Sequence, residues 1–283
     1  MRGAHSWVVA LLCALLLARE AQASVPERVV STNLCADEYV FRLVPRERIA
    51  ALSFEATDRH PVVSTIADAA TGLPAIRPSA ETVLSLKPDL VVMYAGIMPQ
   101  LRASLARIGV PVLDVPWAGS LADVRKATRM LGVALGAPHR AEAMIAQMDR
   151  AVARTRAEAP RPAVRTLIYE PNGYSTSDGV TQEIMTLSGL AAIASALKPT
   201  RTDTLPVEEV VAHPPELLIL SGDARHANAR ADLVQHHPAL ASLKGRTLVA
   251  WAPLTPLLCA GPWSLDAAAT FTRLGRAARG AHS

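Results

Sequence analysis

The stretch Glu81-Thr-Val-Leu-Ser-Leu-Lys-Pro-Asp-Leu-Val-Val92 aligns without gaps on Glu208-Glu-Val-Val-Ala-His-Pro-Pro-Glu-Leu-Leu-Ile219. Each copy reads as an acid opening a short helix, an apolar turn, a proline stop, a second acid and a buried strand. A glutamate in a first helical turn complements the helix dipole, and a proline stops the helix because it has no N–H to continue it. A unit of this kind occurring twice predicts two lobes of similar construction.

Working outward from the repeat, short β-branched runs alternate with helical patterns. Strands are predicted at 28–31, 48–53, 90–94 and 110–115, and again at 165–170, 217–221 and 247–251. An amphipathic stretch at 121–135 carries its apolar stripe on Leu121, Val124, Leu131 and Leu135. Strands that are almost continuously apolar, each followed by a helix, predict an α/β fold with mostly parallel sheets covered on both faces. Between the two halves, residues 139–158 contain no glycine or proline and many strong helix formers, and Pro160 and Pro162 stop the run. Met144, Met148 and Val152 make one apolar stripe along it. At about 1.5 Å per residue such a helix is roughly 30 Å long, enough to cross two lobes. The expected organisation is an N-terminal lobe at 24–137, a single long connecting helix at 138–160, a C-terminal lobe at 161–283, and a ligand cleft between the lobes.

Residues 1–23 read as a secretory signal peptide. Arg2 precedes the apolar run 7–18, and Ala21-Gln22-Ala23 supplies a small-residue cleavage site. The apolar run is shorter than the roughly 20 residues needed to span a bilayer. Cleavage near Ala23 places the protein in the periplasm. It also removes Cys13 and leaves Cys35 and Cys259 of the three cysteines. Half the residues are hydrophobic and 19% are charged, which excludes a disordered chain. The net charge is +4, but the Lys and Arg residues are scattered, so no nucleic-acid partner is expected.

In two-lobed α/β proteins the ligand sits where loops leave the carboxyl ends of strands. That rule nominates Asn33, Cys35, His60, Tyr94 and Trp117 in the first lobe. In the second it nominates Tyr174, Arg225, His226, Cys259 and Trp263. Aromatic residues make up only 4% of the chain, so the gathering of four at predicted strand ends points to a large conjugated or macrocyclic ligand. Cys35 and Cys259 leave three readings open: a disulfide, passive lining of the cleft, or thiolate ligation of a soft metal with His60 or His226. No Cys-x-x-Cys cluster favours the last. His236 and His237 read as solvated surface, and His213 as half-buried packing. No G-x-S-x-G, H-E-x-x-H, P-loop or dinucleotide fingerprint occurs, so no enzyme is expected and no catalytic residue is named. A secreted thiol-dependent enzyme using Cys35 and His60 is the alternative from that class.

These features resemble the class III substrate-binding proteins of ABC importers, the group that binds vitamin B12, ferric siderophores and heme. The opening Arg28-Val-Val-Ser-Thr-Asn-Leu-Cys-Ala-Asp-Glu38 resembles the family's first strand and following loop, with Glu38 in its acidic position. Ser79-Ala-Glu-Thr-Val-Leu-Ser-Leu-Lys-Pro-Asp-Leu-Val-Val92 is similar to its most recognisable stretch. The segment from His237-Pro-Ala-Leu to Lys244-Gly-Arg-Thr-Leu-Val249 is similar to a late one. The resemblance implies a periplasmic protein that delivers a metal chelate to an inner-membrane permease; a monomer without a cofactor is expected, and no metal-ligating residue is named. It also implies that Glu81 and Glu208, one on each lobe, dock on permease arginines. A direct divalent-metal binder is the alternative among binding proteins; it calls for three or four convergent ligands and often a His-rich loop, which this chain lacks.

Overall fold

The structure is a computed structural model that describes residues 25–59, 63–175, 179–197, 204–221 and 229–281. The signal-peptide segment and the candidates His60, Arg225 and His226 lie outside the described residues. The first half of the chain runs β1 (Val29–Ser31), α1 (Leu34–Leu43), β2 (Ile49–Ser53), β3 (Ala75–Ile76), α2 (Ala80–Ser85), β4 (Leu90–Tyr94), α3 (Pro99–Arg107), β5 (Val112–Val115) and α4 (Leu121–Ala134). Helix α5 (Pro138–Glu158) leads into the second half. There follow β6 (Val164–Tyr169), α6 (Gly179–Leu187), β7 (Leu190–Ala192), α7 (Ala194–Leu197), α8 (Val207–Ala212), β8 (Leu217–Leu220), β9 (Leu248–Trp251) and α9 (Asp266–Ala281).

Each half contains one parallel sheet, ordered β3-β2-β1-β4-β5 in the first and β7-β6-β8-β9 in the second. The fold is therefore the expected two-lobed α/β architecture with a connecting helix. All seven expected strands form with ends within two residues of their predicted bounds. β3 and β7 were not expected, because edge strands of two and three residues are too short to show a pattern. The central strands are apolar without alternation because both faces are covered. In β8, Leu217 and Ile219 enter one core cluster, while Leu218 and Leu220 enter another on the opposite face. In β4, Val92 faces one core and Val91 and Met93 the other.

The repeat is structural as well as sequential. α2 and α8 begin one residue before Glu81 and Glu208, and β4 and β8 begin at the aligned leucines, Leu90 and Leu217. The second acid of each copy does the same work in both lobes. The Asp89 carboxylate accepts the Arg28 N–H at 3.0 Å ahead of β1, and the Glu216 carboxylate accepts the Arg165 N–H at 2.8 Å at the start of β6. Each acid thus ties a central strand to its neighbour.

Helix α5 spans 21 residues with proline at its first turn, where the missing N–H costs nothing. Its buried stripe registers both cores: Ala141 belongs to the first lobe's core and Met148 to the second's. The cores are also interlocked in other ways. Ala118, Leu121 and Val124 of the first half pack into the second lobe's core, and Cys259 and Trp263 of the second half pack into the first's. Among the described residues no helix is long and apolar enough to cross a membrane.

Within the first lobe, α1 is pinned to β2 by a buried carboxyl. Asp37 is fully buried and accepts the Ser53 N–H at 2.9 Å and the Ser53 hydroxyl at 2.5 Å. Burial pushes its pKa up to about 7. The native state therefore keeps this proton up to about pH 7, whereas the unfolded chain releases it near pH 4. Between those values the native state binds more protons, so this group's contribution to stability falls as pH rises. Asp37→Asn preserves the hydrogen-bonding shape without the titration. The urea midpoint of the wild type relative to the variant is expected to fall from pH 4 to pH 7, and parallel pH profiles would contradict the buried-proton account.

Candidate ligand cleft

The carboxyl ends of the first lobe's strands are tied to one another. Asn33 follows β1 with an extended backbone and does not cap α1; its side-chain oxygen accepts the Tyr94 N–H at the end of β4, at 3.1 Å. The first N–H of α1, on Leu34, is taken at 2.8 Å by the carboxylate of Glu55, in the turn after β2. A carboxylate suits this position because a helix start presents unpaired N–H groups and positive potential. Glu38 sits within α1 rather than in a loop. It is buried, pairs with Arg42, and accepts the N–H and hydroxyl of Thr65 at 2.8 and 2.6 Å, which fastens the chain after β2 to α1. Half-burial raises the Tyr94 phenol's pKa, so it stays a proton donor.

Phe54 leaves β2 and Arg77 leaves β3, and the Arg77 guanidinium lies 4.0 Å over the Phe54 ring. Arg77 is exposed and has no ion-pair partner among the described residues. Stacking orients its planar face and leaves the N–H edge open to an anion. Trp117 leaves β5 and is 72% exposed. Its ring crosses Gly119, where a Cβ would lie only 2.8 Å from the ring. Four residues after Trp117, the Leu121 N–H is accepted at 2.6 Å by Glu183 of α6, a contact between the lobes.

On the second lobe, β6 runs into a turn in which Asn172 and Gly173 both have positive φ. A Cβ at Gly173 would come within 2.8 Å of the Leu205 carbonyl oxygen. This turn presents Tyr174, which is 49% exposed although its backbone is tied to Glu170. Leu258, in the chain after β9, is an exposed apolar residue that strand-end reasoning passed over.

Two expected cleft residues lie elsewhere. Trp263 is 5% exposed and Cys259 4%; both belong to the first lobe's core. The Gly261-Pro262 turn allows this, because a Cβ on Gly261 would collide with the Trp263 ring at 2.3 Å. The indole then packs edge-on against Tyr39 at 4.8 Å and beneath Arg42 at 4.4 Å. Cys35 is on the first turn of α1 rather than in a loop, and its sulfur is bonded to that of Cys259 at 2.03 Å. His236 is half-buried with its ring centroid 5.0 Å from that of Trp251, not solvated. His213 is exposed beside Glu209 at 3.3 Å, not packed.

Among the described residues no cluster of three His, Cys, Asp or Glu side chains is placed to hold a metal. A cavity of about 400 Å³ lies between α5 and α9, and a groove of about 550 Å³ flanks β9. Neither is lined by Asn33, Tyr94, Trp117 or Tyr174. Arg77 and Phe54 had no usable sequence signal as a pair, because the two-residue strand that brings Arg77 beside Phe54 is invisible in the pattern.

Residues 29–245, comprising both sheets up to β8 and the connecting helix, match the family described as periplasmic binding protein. The chain belongs to that family. It is a family of binding proteins rather than enzymes, which sets aside the thiol-enzyme alternative. Many solved structures are similar, among them the following three. A periplasmic heme-binding protein, RhuT, from Roseiflexus sp. RS-1 in apo form is 23% identical with a TM-score of 0.69, over 91% of this chain and 99% of that one. A periplasmic heme-binding protein from Pseudomonas aeruginosa is 24% identical with a TM-score of 0.63, over 89% and 93%. The periplasmic vitamin B12-binding protein BtuF of Vibrio cholerae is 19% identical with a TM-score of 0.65, over 90% and 98%. No curated protein matches the sequence.

The burial of Trp263 in this binding protein has a measurable consequence. Trp263→Ala removes a large ring from between Tyr39 and Arg42, and the expected loss is about 3–5 kcal/mol in chemical denaturation. A loss below about 1 kcal/mol would place the ring outside the core.

Proposed function

We propose that this periplasmic binding protein captures a metal chelate (a ferric siderophore, a corrinoid or heme) and delivers it to the permease of an ABC importer. The carrying observation is the pair of exposed aromatics at strand exits on opposite lobes, Trp117 and Tyr174. Flat rings with polar edges suit a broad conjugated or macrocyclic ligand. Asn33, Tyr94 and the stacked Arg77 supply polar contacts along the same edge of the first lobe, with Arg77 available to a carboxylate or other anionic group of the ligand. The similar structures that bind heme and vitamin B12 support this ligand class. In this reading the chelate is cargo, and the protein holds no resident cofactor or metal. The chain is exported through the leader at 1–23 and acts as a monomer.

Glu81 and Glu208 are proposed to dock on the permease. Both are exposed, each is the second residue of a matching helix, and neither has an ion-pair or side-chain hydrogen-bond partner among the described residues. An exposed carboxylate adds little affinity by itself, but two of them on separate lobes set register and speed encounter.

Native mass spectrometry of protein purified from its own periplasm tests the ligand class. A co-purifying species of several hundred daltons is expected, and a bare divalent ion would overturn the chelate reading. In titrations followed by absorbance, Arg77→Ala is expected to weaken hemin binding by about ten-fold or more, the usual effect of losing a charge-assisted hydrogen bond. Cyanocobalamin binding should change less, and equal effects on both would remove Arg77 from anion recognition. For docking, Glu81→Ala combined with Glu208→Ala should abolish uptake at limiting ligand while binding in solution is retained; intact uptake would refute it.

A further inference from the structure

We propose that the cavity between α5 and α9 is a second binding site, which takes a small organic carboxylate. Its volume of about 400 Å³ suits a small molecule, and none of Asn33, Tyr94, Trp117 and Tyr174 lines it. Trp263 and Thr272 line it and are only 5% and 4% exposed. The indole Nε1 and the threonine hydroxyl are both buried without a hydrogen-bond partner among the described residues. A buried indole N–H ordinarily finds an acceptor, and a helical threonine ordinarily bonds the carbonyl four residues back. Thr128 does so, donating to the Val124 carbonyl at 2.7 Å; the matching carbonyl for Thr272, on Ala268, receives the Ser188 hydroxyl at 3.4 Å instead. Unsatisfied buried donors cost stability, which an acceptor brought by a ligand restores.

The charges of the lining select the sign of that acceptor. Arg42 is taken by Glu38 and Thr65, and Glu158 faces Arg276 at 3.8 Å. Asp266 opens α9, where the helix dipole answers a carboxylate. Gln147, Arg154 and Ala269 are exposed and mark the mouth, and Arg154 has no ion-pair or hydrogen-bond partner among the described residues. Left over are one guanidinium, one indole N–H and one hydroxyl, and their complement is an anion with several acceptor oxygens. Met144, Met148, Ala151 and Leu265 supply apolar walls, and methionines adapt to irregular shapes. Such walls favour a carboxylate on a compact apolar body over a hydrated inorganic anion.

Heteronuclear NMR of the full chain carrying isotope-labelled tryptophan tests the site, with phenylacetate and hexanoate as probes and benzylammonium as the control of opposite charge. The Trp263 indole signal is assigned by its absence from Trp263→Phe, or by elimination from Trp117→Phe and Trp251→Phe. Either carboxylate is expected to move the Trp263 indole proton downfield and saturably, as an N–H does on gaining an acceptor, while benzylammonium leaves it in place. Trp117 reports the cleft by its own signal, so the outcome is separate from the chelate reading. Arg154→Ala should weaken binding about ten-fold, the usual effect of losing a charge-assisted hydrogen bond. Thr272→Val should weaken it several-fold without lowering the thermal midpoint of the protein alone, because the hydroxyl removed has no partner to lose. Ala269→Phe, which fills the mouth from an exposed helical position, should abolish the shift. No saturable Trp263 shift with either carboxylate at about 50 mM would overturn the site, since ligands this small bind in the millimolar range. A shift unchanged in Ala269→Phe would also overturn it, and an equal response to benzylammonium would overturn the preference for a carboxylate.

Discussion

The two lobes meet around a buried indole. Trp263 is carried by the second half of the chain but buried in the core of the first, between Tyr39 and Arg42. A ring of this size removes a large apolar area from water, and its position is specified by the atoms on both sides of it. Around that seat the disulfide, the Tyr39 hydroxyl bond and the start of α9 take their places. From the other side, Ala118, Leu121 and Val124 of the first half enter the second lobe's core. The two lobes are thus two sheets whose cores exchange residues, not two independent domains on a string.

The cleft follows from this arrangement and from the direction of the strands. In a parallel sheet all the carboxyl ends lie on one edge, so every loop that leaves a strand falls along the same line. Asn33, Phe54, Arg77, Tyr94 and Trp117 are strand-exit residues of one lobe, and Tyr174 of the other. The polar side chains among their neighbours fix the loops: Glu55 at the start of α1, Asn33 on the Tyr94 amide, and Glu38 on Thr65. Trp117, Tyr174 and the stacked cation Arg77 remain exposed at these exits.

Much of the fold was legible because the physical signals are local. A strand covered on both faces must be apolar at every position, so β4, β6 and β8 announced themselves. An acid at a helix start and a proline at its end mark α2 and α8 in the same register. β3 and β7 were missed because two or three residues cannot carry a period. The site was less legible. Strand-end reasoning found Asn33, Tyr94, Trp117 and Tyr174 at exposed or half-exposed exits, but it put Trp263 and Cys259 in the cleft. A Gly-Pro turn and a distant Tyr39 decide which way that segment folds, and neither is a neighbour in sequence.

By itself the sequence determined the class of fold, the likeness of the two lobes and the connecting helix between them, since each depends on composition and spacing within a few residues. Only the tertiary structure decided that the aromatic supply divides between an exposed edge and a buried seam, that Arg77 stands on Phe54, and that Cys35 meets Cys259. Those outcomes rest on contacts between residues remote in the chain, where packing selects one partner among many of the same chemical type.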